Sequence, residues 1–272
     1  MASGKKNLKV GLALGGGGAR GLAHIGVLKV LEKEGIKLDA LAGVSMGSFV
    51  GACYATGLSV KEMEEEAVTF NKRKAIKKML DLANPKRSVL KGKKVERYIN
   101  NFLEKKDFKD TDVPMRVVAT DLATGGEVVI KEGNLAQAVR ASISVPGIFP
   151  PVKIGDRYLV DGGVVNCTPV NVLEDMGMDI IIAVDLIIKR QVDFEKKPGM
   201  ITSLVQSYEI IRSQVAKNNV ESNKKVVLIK PEMRGTIDSF KFYNIKKFIE
   251  SGEKATRTAL PRIKKRIAEF EG

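Results

Sequence analysis

The 272-residue chain has one histidine, His24, and two cysteines, Cys53 and Cys167. A Ser–His–Asp arrangement therefore has a single imidazole to draw on. The cysteines are far apart and lack the spacing of a metal site, so they read as small buried thiols in a reducing compartment. No stretch approaches the roughly 18 apolar residues of a membrane span. Lys5 and Lys6 precede "VGLALGGGG", a faint mimic of a secretory leader. Its apolar run, Val10 to Leu14, ends at once in glycines, which excludes that reading. Neither an internal repeat nor a low-complexity linker is present. A single domain over 1–272 and a cytoplasmic protein are the expectations.

Positive charge, by contrast, is plentiful. The net charge is +14. Residues 71–109 hold 14 Lys/Arg against 4 Asp/Glu, and residues 241–272 hold 9 against 4, so the rest of the chain is near neutral. Such patches suit anionic surfaces, whether lipid headgroups or nucleic acid. No nucleic-acid motif or interleaved aromatic pattern supports the second. Peripheral contact with an anionic membrane through segment 71–109 competes with a plain solvated helix face.

Element patterning indicates an α/β protein. "NLKVGLAL" (7–14) reads as a buried strand, followed by a glycine loop and a helix over 19–34. "LDALAG" (38–43) is a second strand, running into Ser45 and a helix over 46–56. This order is a βαβ unit with parallel strands. Ser59 and Glu62 form a capping box for a helix over 60–74. Further helices are expected at 92–104, 134–142 and 199–220, with strands at 114–122, 126–132, 179–186 and 225–231. "KIGDRYLVDGG" reads as a hairpin ending on Asp161. Two basic amphipathic helices are expected to close the chain.

Two motifs carry chemistry. "GVSMG" (43–47) places Ser45 between Gly43 and Gly47 at a sharp strand-to-helix turn, where the helix dipole favours a developing anion. The plain alternative is a tight turn with Ser45 as N-cap. "GGGGARG" (15–21) also follows a strand and precedes a helix. Its glycines let N–H groups point at a tetrahedral oxyanion. Both loops would sit at the carboxyl edge of neighbouring parallel strands, where α/β proteins bind ligands. The same glycines fit a dinucleotide fingerprint, with Asp39 downstream. Asp39, however, starts its strand, and a ribose-binding acid belongs at the end.

A serine hydroxyl needs a base. His24 sits in a crowded helical stretch with Leu22, Ile25 and Val27 and reads as a partly buried helix residue. Asp161, at a strand end before Gly162 and Gly163, is the better candidate, provided that burial raises its pKa. Asp121 and Asp185 are also strand-end aspartates, and the residues alone leave the choice open.

"ALGGGGARGLAHIGVL", "GVSMGS", "TDLATG", "AVRASISVPGIFPPV" and "LVDGG", in order from about residue 8 to 186, resemble the patatin-like phospholipase family. The resemblance implies a three-layer α/β/α sandwich, a modified α/β-hydrolase-like fold with a mostly parallel sheet. It implies a Ser–Asp dyad of Ser45 and Asp161, with no metal and no cofactor. Gly16, Gly17 and Gly18 would form the oxyanion hole, with Arg20 and Gly21 supporting that loop, Gly43 and Gly47 the serine turn, and Gly162 and Gly163 the aspartate turn.

Hydrolysis of fatty-acyl esters of phospholipids, lysophospholipids or related lipids is the implied activity. The alternatives are acyl transfer with the same dyad, or a non-catalytic nucleotide-binding or regulatory protein. Met63, Val68, Phe70, Met79 and Leu80 are candidates for an apolar lid, with core packing as the plainer reading.

Overall fold

The computed structural model describes residues 7–70, 81, 88, 90–187, 197–215, 223–232 and 245–271. Its eight strands are β1 (Val10–Leu14), β2 (Ala40–Val44), β3 (Met115–Asp121), β4 (Glu127–Ile130), β5 (Val152–Ile154), β6 (Arg157–Asp161), β7 (Ile180–Val184) and β8 (Val226–Ile229). They form one sheet in the order β5-β6-β3-β2-β1-β7-β8, with β4 also paired to β3. Strands β3, β2, β1, β7 and β8 are parallel, whereas β4 and β6 run against β3.

The helices are α1 (Ala23–Lys33), α2 (Met46–Ala55), α3 (Val60–Phe70), α4 (Lys93–Phe102), α5 (Leu135–Ser142), α6 (Val170–Asp175), α7 (Met200–Val215) and α8 (Ile245–Glu271). Strand alternation sorts the apolar side chains onto two faces. Leu12, Leu14, Leu41, Ile180, Ile182 and Val184 join one core with residues of α1 to α5 and α8. Ala13, Ala42, Val44, Ile181 and Ala183 meet Val170, Val172 and Leu173 of α6 on the other. Helices thus cover both faces of the sheet, giving the α/β architecture expected. Each fully buried leucine here contributes roughly 1.5–3 kcal/mol.

Order reverses at β1. The chain leaves β1 for β2 and β3 on one side, and β7 returns on the other. In open α/β sheets such a switch point opens a crevice beyond the carboxyl ends of the strands. The glycine loop stands there, and it runs into a 3-10 turn at Gly18–Leu22 before α1 begins.

Several expectations change. Of the two helices expected to close the chain, the described residues show one, Ile245–Glu271, which continues through Pro261; residues 233–244 lie outside the described residues. A proline inside a helix costs about 3 kcal/mol. Burial of Phe248, Ile249, Ala259 and Ile263 along the same helix offsets that cost. Met63 belongs to the main core and Val68 packs against it. Neither serves as a lid; the Phe70 side chain, Met79 and Leu80 lie outside the described residues. Most of segment 71–90 also lies outside them, while Lys91, Lys93, Lys94, Arg97, Lys105 and Lys109 are exposed. No helix among the described residues is long and apolar enough to cross a membrane.

Candidate active site

Strand β2 ends at Val44, and the chain turns into α2 through Ser45. Its backbone is held at φ 53°, ψ −127°. A non-glycine residue in such a region carries about 1–3 kcal/mol of strain. Glycine on either side permits the turn. A β-carbon on Gly43 would lie 2.6 Å from the Gly47 carbonyl oxygen, and one on Gly47 would overlap the Leu14 carbonyl of β1. The Ser45 side chain makes no helix-capping bond. Instead its hydroxyl donates to Asp161 Oδ2 at 2.7 Å. The plain N-cap reading is thereby replaced.

Asp161 reaches this point because β6 runs antiparallel to β3, which sets Asp161 level with Ala119. It is 1% exposed. Its Oδ1 accepts the Gly163 N–H at 2.8 Å, and its backbone is held by Thr120 Oγ1 and the Ser144 carbonyl. Burial raises the Asp161 pKa. The Arg212 charge, the Gly163 N–H and the hydroxyls of Ser45 and Tyr208 act in the opposite direction. A carboxylate raised by burial is a better proton acceptor than a free one.

The competing groups are engaged elsewhere. Asp121 Oδ1 accepts the Ala123 N–H, and Asp185 Oδ1 accepts the Ile187 N–H. Asp39 accepts the Val10 N–H at the opposite end of the sheet, so the Gly16–Gly21 fingerprint lacks its acidic partner. His24 is 0% exposed. Its Nε2 lies 2.7 Å from the Gly15 carbonyl oxygen, which accepts only, so the ring carries its proton on Nε2. Burial lowers the His24 pKa to about 4. The ring braces the glycine loop and is not placed to serve Ser45.

The loop itself is fixed peptide by peptide. The N–H groups of Gly15 and Gly16 donate to the carbonyls of Val184 and Cys167. The Gly16 N–H is thus spent, and the expected donor trio narrows to Gly17 and Gly18. Among the described residues no backbone carbonyl accepts from those two N–H groups. The Gly16 carbonyl accepts from Arg212 Nη2, and the Gly17 carbonyl accepts from Arg20 Nε at 3.2 Å. A trans peptide points its N–H opposite to its carbonyl. The two arginines therefore turn the Gly17 and Gly18 N–H groups away from themselves. A β-carbon on Gly16 would lie 3.3 Å from Ser45 Cβ, so this loop borders the serine directly.

Gly21 packs against Met46, and a β-carbon on Gly162 would overlap the Val118 carbonyl. Gly43, Gly47 and Gly162 thus sit at close backbone approaches, whereas Gly16, Gly21 and Gly163 face side chains. Sequence reasoning missed Ser142, whose Oγ accepts the Ser45 N–H at 2.8 Å. It also missed Tyr208, Glu209 and Arg212 on α7. Cys53 and Cys167 are free and buried. Among the described residues no group of His, Cys, Asp and Glu is arranged to hold a metal ion.

Fold and geometry together define a class: an α/β protein with a serine at a strained strand-to-helix turn, bonded to a buried carboxylate beside a glycine loop. The family model described as "Patatin-like phospholipase" matches residues 12–173. The chain belongs to the patatin-like phospholipase family. It is 38% identical to Patatin-like phospholipase domain-containing protein 6 of Mus musculus over 182 residues, 65% of this chain and 13% of that protein. It is 35% identical to Lysophospholipase NTE1 of Debaryomyces hansenii over 182 residues, 66% of this chain and 12% of that protein. The chain therefore spans a small part of these curated relatives. Among solved structures, VipD from Legionella pneumophila aligns with a TM-score of 0.49 at 13% identity, over 94% of this chain and 67% of that one.

Proposed function

We propose that the protein is a serine acyl hydrolase acting on fatty-acyl esters of phospholipids or lysophospholipids. The 2.7 Å hydrogen bond from Ser45 to Asp161 carries the reading. Family membership and a lysophospholipase among the relatives supply the substrate class.

In the first half-reaction Ser45 Oγ attacks the ester carbonyl carbon and its proton passes to Asp161 Oδ2. The carbonyl oxygen becomes an oxyanion facing the Gly17 and Gly18 N–H groups; one such donor is worth roughly 2.7–4 kcal/mol. The tetrahedral adduct collapses, the alkoxide leaves, and Asp161 returns the proton to it. In the second half-reaction a water molecule gives its proton to Asp161 and attacks the acyl-serine. Collapse releases the fatty acid and restores the Ser45 hydroxyl. An alcohol in place of that water would make the same chemistry a transfer.

The test is intact mass after exposure to a fluorophosphonate, beside fatty-acid release from lysophosphatidylcholine. One adduct and fatty-acid release on wild type, both absent from Ser45→Ala, is the expected result. Absence of an adduct on wild type, with and without liposomes, would overturn it. The exposed lysines of α4 and its flanks support docking on anionic lipid. Sedimentation with anionic and neutral liposomes separates that contact from simple solvation, because equal binding to both removes it.

A further inference from the structure

Helix α7 lies beyond the residues the family model matches, yet it brings one buried cation to both halves of the site. The Arg212 side chain is 3% exposed. Besides the Gly16 carbonyl, it contacts Glu209 Oε1 at 3.3 Å. Glu209 Oε2 in turn accepts from Arg20 at 2.8 Å. The chain Arg20–Glu209–Arg212 therefore spans two consecutive glycine carbonyls, with the one carboxylate between the two arginines.

The other side of the same guanidinium faces the base. A β-carbon on Gly163 would lie 2.7 Å from Tyr208 Oη, 3.0 Å from Arg212 Nε and 3.1 Å from Asp161 Oδ1. Those three groups converge on one glycine. Arg212 Nε is buried with no hydrogen-bond partner among the described residues. A buried polar group left so exposed to cost is retained where its charge has a role.

We infer that Arg212 is a positioning residue with two roles: it aims the Gly17 N–H by holding the Gly16 carbonyl, and its charge keeps the buried Asp161 ionised, with Glu209 limiting how much of that charge Asp161 feels. The inference rests on the Ser45–Asp161 reading above. Ser45 comes to Asp161 from the β2–α2 turn, Tyr208 and Arg212 from α7, and Cys167 from the loop before α6. Burial raises Tyr208 well above its usual range and Cys167 to about 11, so both stay neutral near pH 7. Asp185 acts on Cys167 from beyond it. Arg212 is the cation acting on Asp161, and its own pKa stays high: desolvation opposes its charge, but Tyr208, Glu209, Cys167 and Asp161 favour it.

Activity in such a site rises with pH as Asp161 ionises. The test is the pH dependence of fluorophosphonate labelling for wild type, Arg212→Met, Arg212→Lys and Glu209→Gln, each checked for folding by circular dichroism. Removing the charge is expected to move the acid limb up by about one pH unit or more. The same variant should label at least about tenfold more slowly at its plateau, because one oxyanion donor is no longer aimed. Arg212→Lys keeps the charge and loses the fork, so its limb should stay near wild type while its plateau falls. Glu209→Gln should move the limb down. Opposite shifts from two members of one chain are not produced by a structural defect.

Infrared titration of the Asp161 carboxyl band, by difference against Asp161→Asn, reads the same order without catalysis. Shifted midpoints in an unlabelled wild type would support the charge relation while removing the nucleophile reading. Coincident midpoints for Arg212→Met, Glu209→Gln and wild type would overturn the inference.

Discussion

Ser142 Oγ accepts the Ser45 N–H at 2.8 Å and donates its own proton to the Val118 carbonyl at 2.6 Å. One hydroxyl thereby ties the strained serine backbone to the middle of β3. Ser142→Ala leaves the buried Ser45 N–H without this acceptor and the Val118 carbonyl without this donor. It is expected to cost about 1–3 kcal/mol in urea unfolding and to slow labelling of Ser45. A variant as stable and as reactive as wild type would show that the tie is dispensable.

Asp161→Asn keeps the shape of the side chain and removes its basicity. Loss of a positioned general base is expected to slow acylation by roughly 10²–10⁴-fold. Stopped-flow labelling with a fluorophosphonate measures this directly. A comparable loss in His24→Gln would transfer the role to the imidazole.

His24 gives a signed pH prediction for stability. Its pKa is about 4 in the folded chain against 6.5 as the ordinary value. Between those values the unfolded chain binds more protons, so stability falls as the solution is acidified through this window. The loss amounts to roughly 3 kcal/mol by pH 4. His24→Gln can still donate to the Gly15 carbonyl but cannot titrate. Its stability should vary less between pH 6.5 and 4 than that of wild type, as read by urea midpoints at fixed pH.

Gly47 offers a steric test. Its α-carbon faces the Leu14 carbonyl so closely that a β-carbon has no room. Gly47→Ala must shift backbone, at a cost of about 1–3 kcal/mol, and should misplace Ser45 and abolish labelling. Gly199, with open space around it, is the control: Gly199→Ala should stay within about 0.5 kcal/mol of wild type.

What the sequence disclosed was local. The strand, glycine loop and serine turn lie within fifty residues of one another, and each carries its own turn chemistry. Asp161 was harder to single out. Asp121 and Asp185 end strands as well, and only the antiparallel register of β6 on β3 brings one carboxylate to Ser45. Glu209 and Arg212 read in sequence as an ordinary surface pair three residues apart. Arg212 is buried against Gly16, 196 residues away, and no local pattern encodes a partner at that distance. Pro261 lies inside the C-terminal helix, where burial of Phe248, Ile249, Ala259 and Ile263 along the helix outweighs its cost.

Helix α8 crosses α1 at bare backbone. Gly252 rests on the Ala23 carbonyl and Gly26 on the Ile249 carbonyl, and Ala23 begins the helix that follows the glycine loop. Two helices far apart in sequence therefore complete one another, which gives the site an order in time. During synthesis the helix behind that loop gains this support only when α8 has emerged from the ribosome. A nascent chain stalled before residue 245 is expected to take no fluorophosphonate label, because the helix behind the glycine loop would still lack its partner.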